Sequence, residues 1–166
     1  MERVILVDYE DREIGTEEKL KAHKEAKLHR AFSIFILNHK GEMLLQQRSF
    51  KKYHCAGLWS NACCGHPQPG ETLQKAVHRR LKEEMGFDCV LSEALQYTYK
   101  IKFDNGLYEH EYLHVFTGTS DGQPKPNQSE VMKYCWMPVE AMKRDVHEHP
   151  EKYSYWFKLS IAKLKI

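Results

Sequence analysis

Two nearby segments of the chain combine residue types that can do chemistry. The first segment, Cys63-Cys64-Gly65-His66-Pro67, carries thiols close to an imidazole. The second segment, Glu83-Glu84-Met85-Gly86, lies at the end of the next predicted helix. Stepping about 100° per residue along the predicted helix Leu73–Met85 defines one apolar face. Arg80 and Glu84 fall within that face rather than on the solvent side. This part of the chain therefore predicts charged groups turned toward the interior of the protein.

Two interpretations of the Arg80 and Glu84 placement remain open. The simpler one is an ion pair at i,i+4, which is common on helices and contributes only a few tenths of a kcal/mol when exposed. Burying both groups costs much more, and a bound metal ion or phosphate would offset that cost. We therefore favour a ligand site at this helix.

Two further carboxylates lie on one face of a predicted strand. Alternation along 107–117 places Glu109 and Glu111 on the same side as Leu107, Leu113 and Val115. Carboxylates are almost never buried without a partner. The pattern therefore predicts that both glutamates have a cation or a hydrogen-bond donor nearby.

Three histidines and these two glutamates provide donors for a metal ion. His23, His29, His66, Glu109 and Glu111 could form a five-ligand nitrogen and oxygen cage around one divalent ion, and Glu84 could hold a second ion beside a phosphate. His23 and His29 are six residues apart, about 120° around a helix, so the chain must bend between them. Any single histidine could equally be an ordinary surface residue, and only the set favours a metal.

Four basic residues are candidates for holding a diphosphate. Lys19, Arg48, Lys52 and Arg80 lie near predicted loop or strand ends, and a diphosphate needs about that many donors plus a metal. Each residue alone could be solvated surface, because lysine and arginine cover most protein surfaces.

The elements that must position these residues can be predicted from patterning. We expect strands at 4–7, 31–37, 43–47, 97–103, 107–117 and 130–137, with helices at 73–85, 139–147 and 153–164. Asn38–Gly41 predicts a turn that joins two strands in a hairpin, and Asp104-Asn105-Gly106 predicts a second hairpin. Thr16 with Glu17 and Glu18 predicts the start of a helical turn. Strands interleaved with helices in this order favour an α/β sandwich around a mixed sheet.

Length and charge limit the classes of function. The 166 residues fit one domain, 1–166, and the net charge of +2 is too small and too evenly spread for a nucleic-acid binder. The N-terminus lacks an apolar stretch long enough for a signal peptide or membrane span, so we expect a soluble, cytoplasmic protein, a monomer or weak dimer, without a membrane partner. Five cysteines without a C-x-x-C pair favour reduced thiols, with Cys55, Cys89 and Cys135 as small packing residues.

The spacing of the helix segment resembles the Nudix box, G-x5-E-x7-R-E-U-x-E-E-x-G-U. Gly65, Glu71 and the run from Arg79 to Phe87 match it. Arg80 departs from the box, since it stands where the box has a metal-binding glutamate. A cation at that position argues against ordinary diphosphate hydrolysis and for direct binding of phosphate.

Further segments resemble the type 1 isopentenyl-diphosphate isomerases. They are 28–33, 44–49, 61–67, Glu109-His110-Glu111 and 156–158, which occur in the family's order across nearly the whole chain. The resemblance implies a Nudix-like α/β/α sandwich with a mixed sheet. It also implies that isopentenyl diphosphate, the small-molecule substrate, is converted to dimethylallyl diphosphate by an allylic 1,3-proton shift.

The resemblance also implies a role for each matching residue. Cys64 and Glu111 would be the acid and base on opposite faces of the substrate, with Tyr99 as an active-site tyrosine. The first metal, Mn²⁺, Zn²⁺ or Mg²⁺, would be held by His23, His29, His66, Glu109 and Glu111, and Mg²⁺ on the diphosphate by Glu84. The substrate would contact Lys19, Arg48, Lys52, Arg80, the backbone of Gly65 and the ring of Trp156.

These residue types suit the implied reaction. Protonating an alkene gives a tertiary carbocation, so the site must supply a proton, exclude water and place π electrons or negative charge nearby. Which of Cys64 and Glu111 protonates first stays open. A Nudix-type diphosphate hydrolase is the first alternative and a noncatalytic metal-binding domain the second.

Overall fold

The sheet is built on a largely apolar run at 31–37 and on segments of alternating polarity at 97–103 and 107–117. A computed structural model describes residues 1–52 and 54–166. Its strands are β1 (Arg3–Val7), β2 (Glu13–Glu18), β3 (His29–Leu37), β4 (Glu42–Arg48), β5 (Trp59–Ser60), β6 (Cys63–Gly65), β7 (Leu91–Lys102), β8 (Tyr108–Thr119) and β9 (Val131–Pro138). Its helices are α1 (Lys19–Lys24), α2 (Leu73–Met85), α3 (Val139–Glu148) and α4 (Tyr155–Lys163), with a short 3₁₀ turn at Pro150–Lys152.

The sheet mixes parallel and antiparallel pairs around β3. This strand runs parallel to β8 along its whole length, from His29 beside Glu111 to Leu37 beside Thr119. It is antiparallel to the short strand β6 and meets β1 at one position. β7 and β8 form the hairpin predicted at Asp104-Asn105-Gly106, and β4 pairs with β5 and β9. The mixed sheet predicted from the sequence is confirmed.

The two faces of β3 lie in two separate hydrophobic clusters. Phe32 and Ile34 pack with Ala76, Val77, Leu81 and Met85 of α2. Ala31 and Phe35 point the other way and pack with Met142 of α3 and with Trp156 and Phe157 of α4. Because alternate side chains of a strand point to opposite faces, one strand serves both clusters. The resulting layers are the α/β/α sandwich that the sequence predicted.

One local prediction was wrong, and another was confirmed only at its turn. The helical turn expected from Thr16 is instead strand β2, because this segment pairs along β1, with Arg3 opposite Glu18 and Ile5 opposite Thr16. The helix starts only after that pairing ends, at Lys19. The first hairpin is closed only at its turn, where Leu37 lies opposite Met43. Beyond the turn the two strands separate, because their edges are taken by β6, β8 and β9.

No helix within residues 1–52 and 54–166 has the length and apolar character needed to cross a lipid bilayer.

Helix α2 has the predicted bounds, and its ends show why. The side chain of Thr72 accepts a hydrogen bond from the backbone N–H of Lys75 at 3.3 Å, which caps the first turn. Gly86 ends the helix with φ of 73°, the left-handed conformation that glycine adopts without a Cβ penalty. Both signals are local in the sequence, so the helix could be predicted residue by residue.

We expect Gly86→Ala to lower the free energy of unfolding by roughly 2 to 4 kcal/mol, since left-handed strain adds to a steric clash. A Cβ at this position would lie 2.5 Å from the carbonyl oxygen of Lys125. Urea unfolding followed by circular dichroism measures the change. Gly70→Ala is the matched control, because its φ of 80° is similar but no atom lies within 4 Å of the added Cβ. Equal losses in the two variants would contradict the clash.

Candidate active site and metal centre

The thiol of Cys64 faces a cleft, whereas its neighbour Cys63 does not. Strand β6 pairs with β3 so that Cys64 lies beside Ser33. Alternation turns Cys63 into the cluster under α2. The sulfur of Cys64 donates to Oδ1 of Asn61 at 3.3 Å and lies 3.4 Å from Oγ of Ser33. Burial raises the pKa of Cys64 to about 11, so the group is a neutral thiol that carries a proton.

Glu111 lines the same cleft from the other side of β3. It lies beside His29 on β3 and beside Tyr99 on β7. The hydroxyl of Tyr99 donates to Oε2 of Glu111 at 2.7 Å. Burial and the nearby charge of Glu109 raise the pKa of Glu111 well above its usual range. The pair Tyr99 and Glu111 therefore forms a buried group that can hold or release a proton.

Three imidazoles converge next to the two glutamates. The ring centroids of His23 and His29 are 4.9 Å apart, those of His29 and His66 5.1 Å, and those of His23 and His66 6.0 Å. His23 lies on α1 and His29 begins β3. The chain reverses between them at Ala26, which has φ of 53°. The bend that the sequence required between the first two histidines is present.

The outer nitrogens of two of these rings are held by backbone carbonyls. Nδ1 of His23 lies 2.7 Å from the carbonyl oxygen of Lys19, and Nδ1 of His29 lies 2.9 Å from that of Lys27. A nitrogen that donates to a carbonyl carries the proton, so Nε2 of the neutral His29 ring presents a lone pair to the centre. Burial opposes a charge on His23, but the neighbouring Glu109 raises the pKa of that ring. Nε2 of His29 is buried and has no hydrogen-bond partner within the described part of the chain. This is the arrangement of metal-binding histidines.

The protonation states also fit a cation. Burial lowers the pKa of His29 to about 4 and that of His66 well below its usual range, so both rings are neutral. Burial opposes the charge of Glu109, but hydrogen bonds from His23 and His54 hold the pKa of that carboxyl well below its usual range. Neutral imidazoles and an ionised carboxylate are the forms that bind metals.

The distances between donor atoms agree with a shared ion. Nε2 of His23 lies 3.2 Å from Oε2 of Glu109, and Nε2 of His66 lies 3.1 Å from Oε1 of Glu111. Two ligands at right angles, each about 2.1 Å from an ion, are about 3 Å apart. Sets of three donors within 4.8 Å of one another include His23, His29 and His66, and also His29, Glu109 and Glu111. The site is compatible with a divalent metal ion.

Four cations line the cleft, and acidic side chains accompany three of them. Nζ of Lys19 lies 3.1 Å from Oε1 of Glu2, and Nζ of Lys52 contacts Glu130. Arg80 lies on α2 and Arg48 at the end of β4. The sequence placed these basic residues at one site, and the structure brings all of them to the cleft.

Arg80 and Glu84 make the i,i+4 ion pair that was one of the two interpretations. Arg80 contacts Oε1 of Glu84 and lies 2.8 Å from Oε2 of Glu83. Burial would lower the pKa of Arg80, but Glu84 and its other acidic neighbours raise it, so the guanidinium stays charged. Glu84 also accepts from Nε2 of Gln46 at 2.9 Å. The pair still lines the cleft, so the contact is compatible with a phosphate role.

Trp156 forms an aromatic wall beside these cations. Its Nε1 donates to Oγ of Ser60 at 3.1 Å, which fixes the ring from behind. The guanidinium carbon of Arg48 lies 4.9 Å from the ring centroid, within cation–π range. The ring is 5 % exposed and lines the cleft. The tryptophan therefore already accommodates a positive charge on its face.

The cleft gathers nearly all of the predicted site residues. Its lining includes Lys19, Arg48, Lys52, Cys64, Gly65, His66, Arg80, Glu84, Glu109, Glu111 and Trp156. His23, His29 and Tyr99 lie behind this surface and contact the lining glutamates. At Gly65 a Cβ would approach Phe32 to 3.0 Å and Arg80 to 3.2 Å, so glycine allows the strand to lie against α2.

Sequence reasoning did not single out His54, which also lines the cleft. Its Nε2 contacts Oε1 of Glu109. The only local signal was its position two residues after Lys52, in a loop already expected to hold a site residue. A single histidine on an irregular loop has no periodicity that could reveal its direction.

Comparison with known proteins identifies the family. The NUDIX domain model matches residues 27–157. An isopentenyl-diphosphate Delta-isomerase of Burkholderia multivorans is 48 % identical over 98 % of this chain and 92 % of its own length. Another, from Serratia proteamaculans, is 44 % identical over 98 % of this chain and 90 % of its own length.

Solved structures show the same fold at lower sequence identity. DR0079 from Deinococcus radiodurans superposes with a TM-score of 0.81 at 18 % identity, covering 99 % of this chain and 100 % of that one. A MutT protein from Methanosarcina mazei gives a TM-score of 0.67 at 24 % identity, covering 82 % and 91 %. Fold, family model and full-length relatives agree: the chain belongs to the Nudix superfamily and, within it, to the type 1 isopentenyl-diphosphate Delta-isomerases.

Proposed function

We propose that this cleft interconverts isopentenyl diphosphate and dimethylallyl diphosphate, with Cys64 and Glu111 as the proton-transfer pair. The observation that carries the proposal is that both groups line one cleft from the two strands that flank β3. Each bears or accepts a proton in a buried setting, as the raised pKa values of Cys64 and Glu111 indicate. A flat allylic intermediate needs an acid and a base on two sides of it.

The four cations that line the cleft suit the diphosphate. Lys19, Arg48, Lys52 and Arg80 would donate to its oxygens, together with the backbone at Gly65. Lys19 now contacts the carboxylate of Glu2, and Lys52 contacts that of Glu130. A diphosphate can replace both carboxylates. Anchoring the charged end there directs the hydrocarbon end toward Cys64, Glu111 and Trp156. Remote binding energy of this kind positions the reacting carbons.

The reaction itself is a redox-neutral proton shift. One member of the pair adds a proton to the terminal methylene carbon, which forms a new C–H bond and leaves a tertiary carbocation. The other removes a proton from C2, and the electrons of that C–H bond form the new double bond. The ring of Trp156, which already packs against the guanidinium of Arg48, would stabilise the cation through its π face. Tyr99, which donates to Oε2 of Glu111 at 2.7 Å, would stabilise the carboxylate of Glu111 when its proton has left.

Two metal sites fit the residues present. His23, His29, His66, Glu109 and Glu111 would hold one divalent ion, Mn²⁺, Zn²⁺ or Mg²⁺, and Glu84 would hold Mg²⁺ on the diphosphate. When bound, these ions neutralise carboxylate and phosphate charge and keep one oxygen of Glu111 weakly basic. Glu111 would then exchange its proton through the oxygen that faces Tyr99.

A direct assay separates the isomerase from a Nudix-type hydrolase. The purified protein is incubated in D₂O with isopentenyl diphosphate and Mg²⁺, and the products are followed by ¹H and ³¹P NMR. We expect dimethylallyl diphosphate that carries deuterium and keeps both phosphates. Glu111→Gln is the matched control, because it keeps the side-chain size and removes the proton-transfer oxygen. Released phosphate without the isomer would reject the proposal and favour hydrolysis.

A further inference from the structure

His54 is largely buried beside the proposed metal centre, although nothing in the sequence pattern pointed to it. It lies in the loop between β4 and β5, and its side chain is 9 % exposed. Its ring packs edge-on to Phe103 at 5.5 Å and lies 5.6 Å from the ring of Trp156. A polar ring held between two aromatic rings in this way has a restricted direction. Its Nε2 points at Glu109.

The two oxygens of Glu109 meet two different histidines. Oε2 lies 3.2 Å from Nε2 of His23, a member of the three-histidine cluster. Oε1 contacts Nε2 of His54. The ring centroid of His54 is 5.8 Å from that of His23, so the carboxylate lies between a ligand imidazole and a fourth imidazole. One oxygen faces the three-histidine cluster, and the other faces the loop.

We propose that His54 is a positioning residue for the metal centre, which donates from Nε2 to Oε1 of Glu109 and thereby turns Oε2 toward the ion. Ligand carboxylates and imidazoles need such outer partners because a side chain free to rotate loses entropy when an ion fixes it. His23 and His29 already have theirs in the carbonyls of Lys19 and Lys27. His54 supplies the corresponding partner for a carboxylate.

The position of His54 also joins the metal centre to the rest of the cleft. Its backbone carbonyl accepts from Nη2 of Arg48 at 3.4 Å, and Arg48 lies over the ring of Trp156. The same short loop therefore carries one contact to Glu109 and another to a diphosphate-site arginine. A change at His54 acts on the ion through Glu109, without removing any residue of the three-histidine cluster.

The inference rests on the proposed function, because it assumes that the three histidines and Glu109 bind an ion. The test is a calorimetric titration of metal-free protein with Mn²⁺, which needs no catalytic activity. We expect His54→Ala to weaken Mn²⁺ binding by about 10- to 100-fold, the usual effect of losing an outer partner. His54→Gln should restore most of the affinity, since its amide nitrogen can donate to the same oxygen. His147→Ala, an exposed residue of α3, is the control and should bind Mn²⁺ as the wild type does.

A second measurement distinguishes a positioning residue from a direct ligand. The visible absorption of Co²⁺-loaded protein reports the number and type of ligands. We expect saturated His54→Ala to keep the band positions and intensity of the wild type. A shifted or more intense spectrum would make His54 a ligand and overturn the positioning role, and unchanged Mn²⁺ affinity in His54→Ala would overturn any role. If the wild type binds neither Mn²⁺ nor Co²⁺, the proposed metal centre does not exist, and the role inferred for His54 is rejected together with it.

Discussion

Replacing Cys64 by alanine is expected to lower kcat for isomerisation by roughly 10²- to 10⁴-fold, the range for a lost general acid or base. The thiol is the proton-bearing group on its side of the cleft, where burial raises its pKa to about 11 and Ser33 and Asn61 orient it. Alanine removes the sulfur without adding bulk. The rate of deuterium incorporation into dimethylallyl diphosphate measures the effect, and thermal unfolding checks that the fold persists.

Cys63→Ala is the matched control for this prediction. Cys63 is the preceding residue of the same strand, but its side chain packs in the cluster under α2. We expect this variant to lose some stability through the missing buried sulfur and to keep its turnover. Near-normal turnover in Cys64→Ala, or equal losses of activity in the two variants, would reject the catalytic assignment of Cys64.

Replacing His29 by alanine is expected to abolish tight metal binding and, with it, the activity in buffers with little free metal. His29 is fully buried, and its Nδ1 is held by the carbonyl of Lys27 so that Nε2 faces the other ligands. Losing a direct ligand should weaken binding by more than the roughly 10- to 100-fold typical of an outer partner. Metal analysis of the protein after dialysis and titration with Mn²⁺ both measure the change.

His78→Ala is the control for His29→Ala. His78 lies on the outer side of α2, where it pairs with Asp88 at 2.6 Å, and it does not line the cleft. Its removal should leave metal content and turnover unchanged. A His29→Ala protein that retains one tightly bound ion would show that the three histidines do not form the proposed cage.

Features encoded by neighbouring residues could be predicted from the sequence with high accuracy. Helix α2 spans Leu73–Met85, the bounds expected from its apolar periodicity, and Thr72 and Gly86 cap its two ends. The inward direction of Glu84 followed from the helical period, and the common face of Glu109 and Glu111 followed from the strand period. These periods depend only on local backbone geometry, so the sequence suffices for them.

Features that depend on distant pairing were predicted less well. The Thr16 segment has a helix-start signal, but pairing with β1 makes it a strand. The turn after Leu37 was correctly predicted, yet its two strands separate because other strands pair with them. The local preference of a segment stabilises it by less free energy than a run of sheet hydrogen bonds and the side-chain burial that comes with sheet pairing. A sequence pattern alone does not show which strand will supply those bonds.

The sequence by itself identified the candidate residues for the chemistry and determined which side of their helix or strand they occupy. The resemblance to known isomerases added their expected roles, and the family comparison agrees with it. The tertiary structure decided how these residues meet. Parallel pairing of β3 with β8 places His29 beside Glu111, and the reversal at Ala26 brings His23 to His29.

His54 shows the same division most clearly. The sequence contains one more histidine in an irregular loop, and no period assigns it a direction. Only the packed loop turns that ring toward Glu109 and against Trp156. Periodicity specifies the face of an element, whereas the contacts across a cleft depend on long-range pairing and packing among elements far apart in the chain. For that reason the proposed catalytic pair could be named from sequence, but the residue proposed to position the metal ligand required the structure.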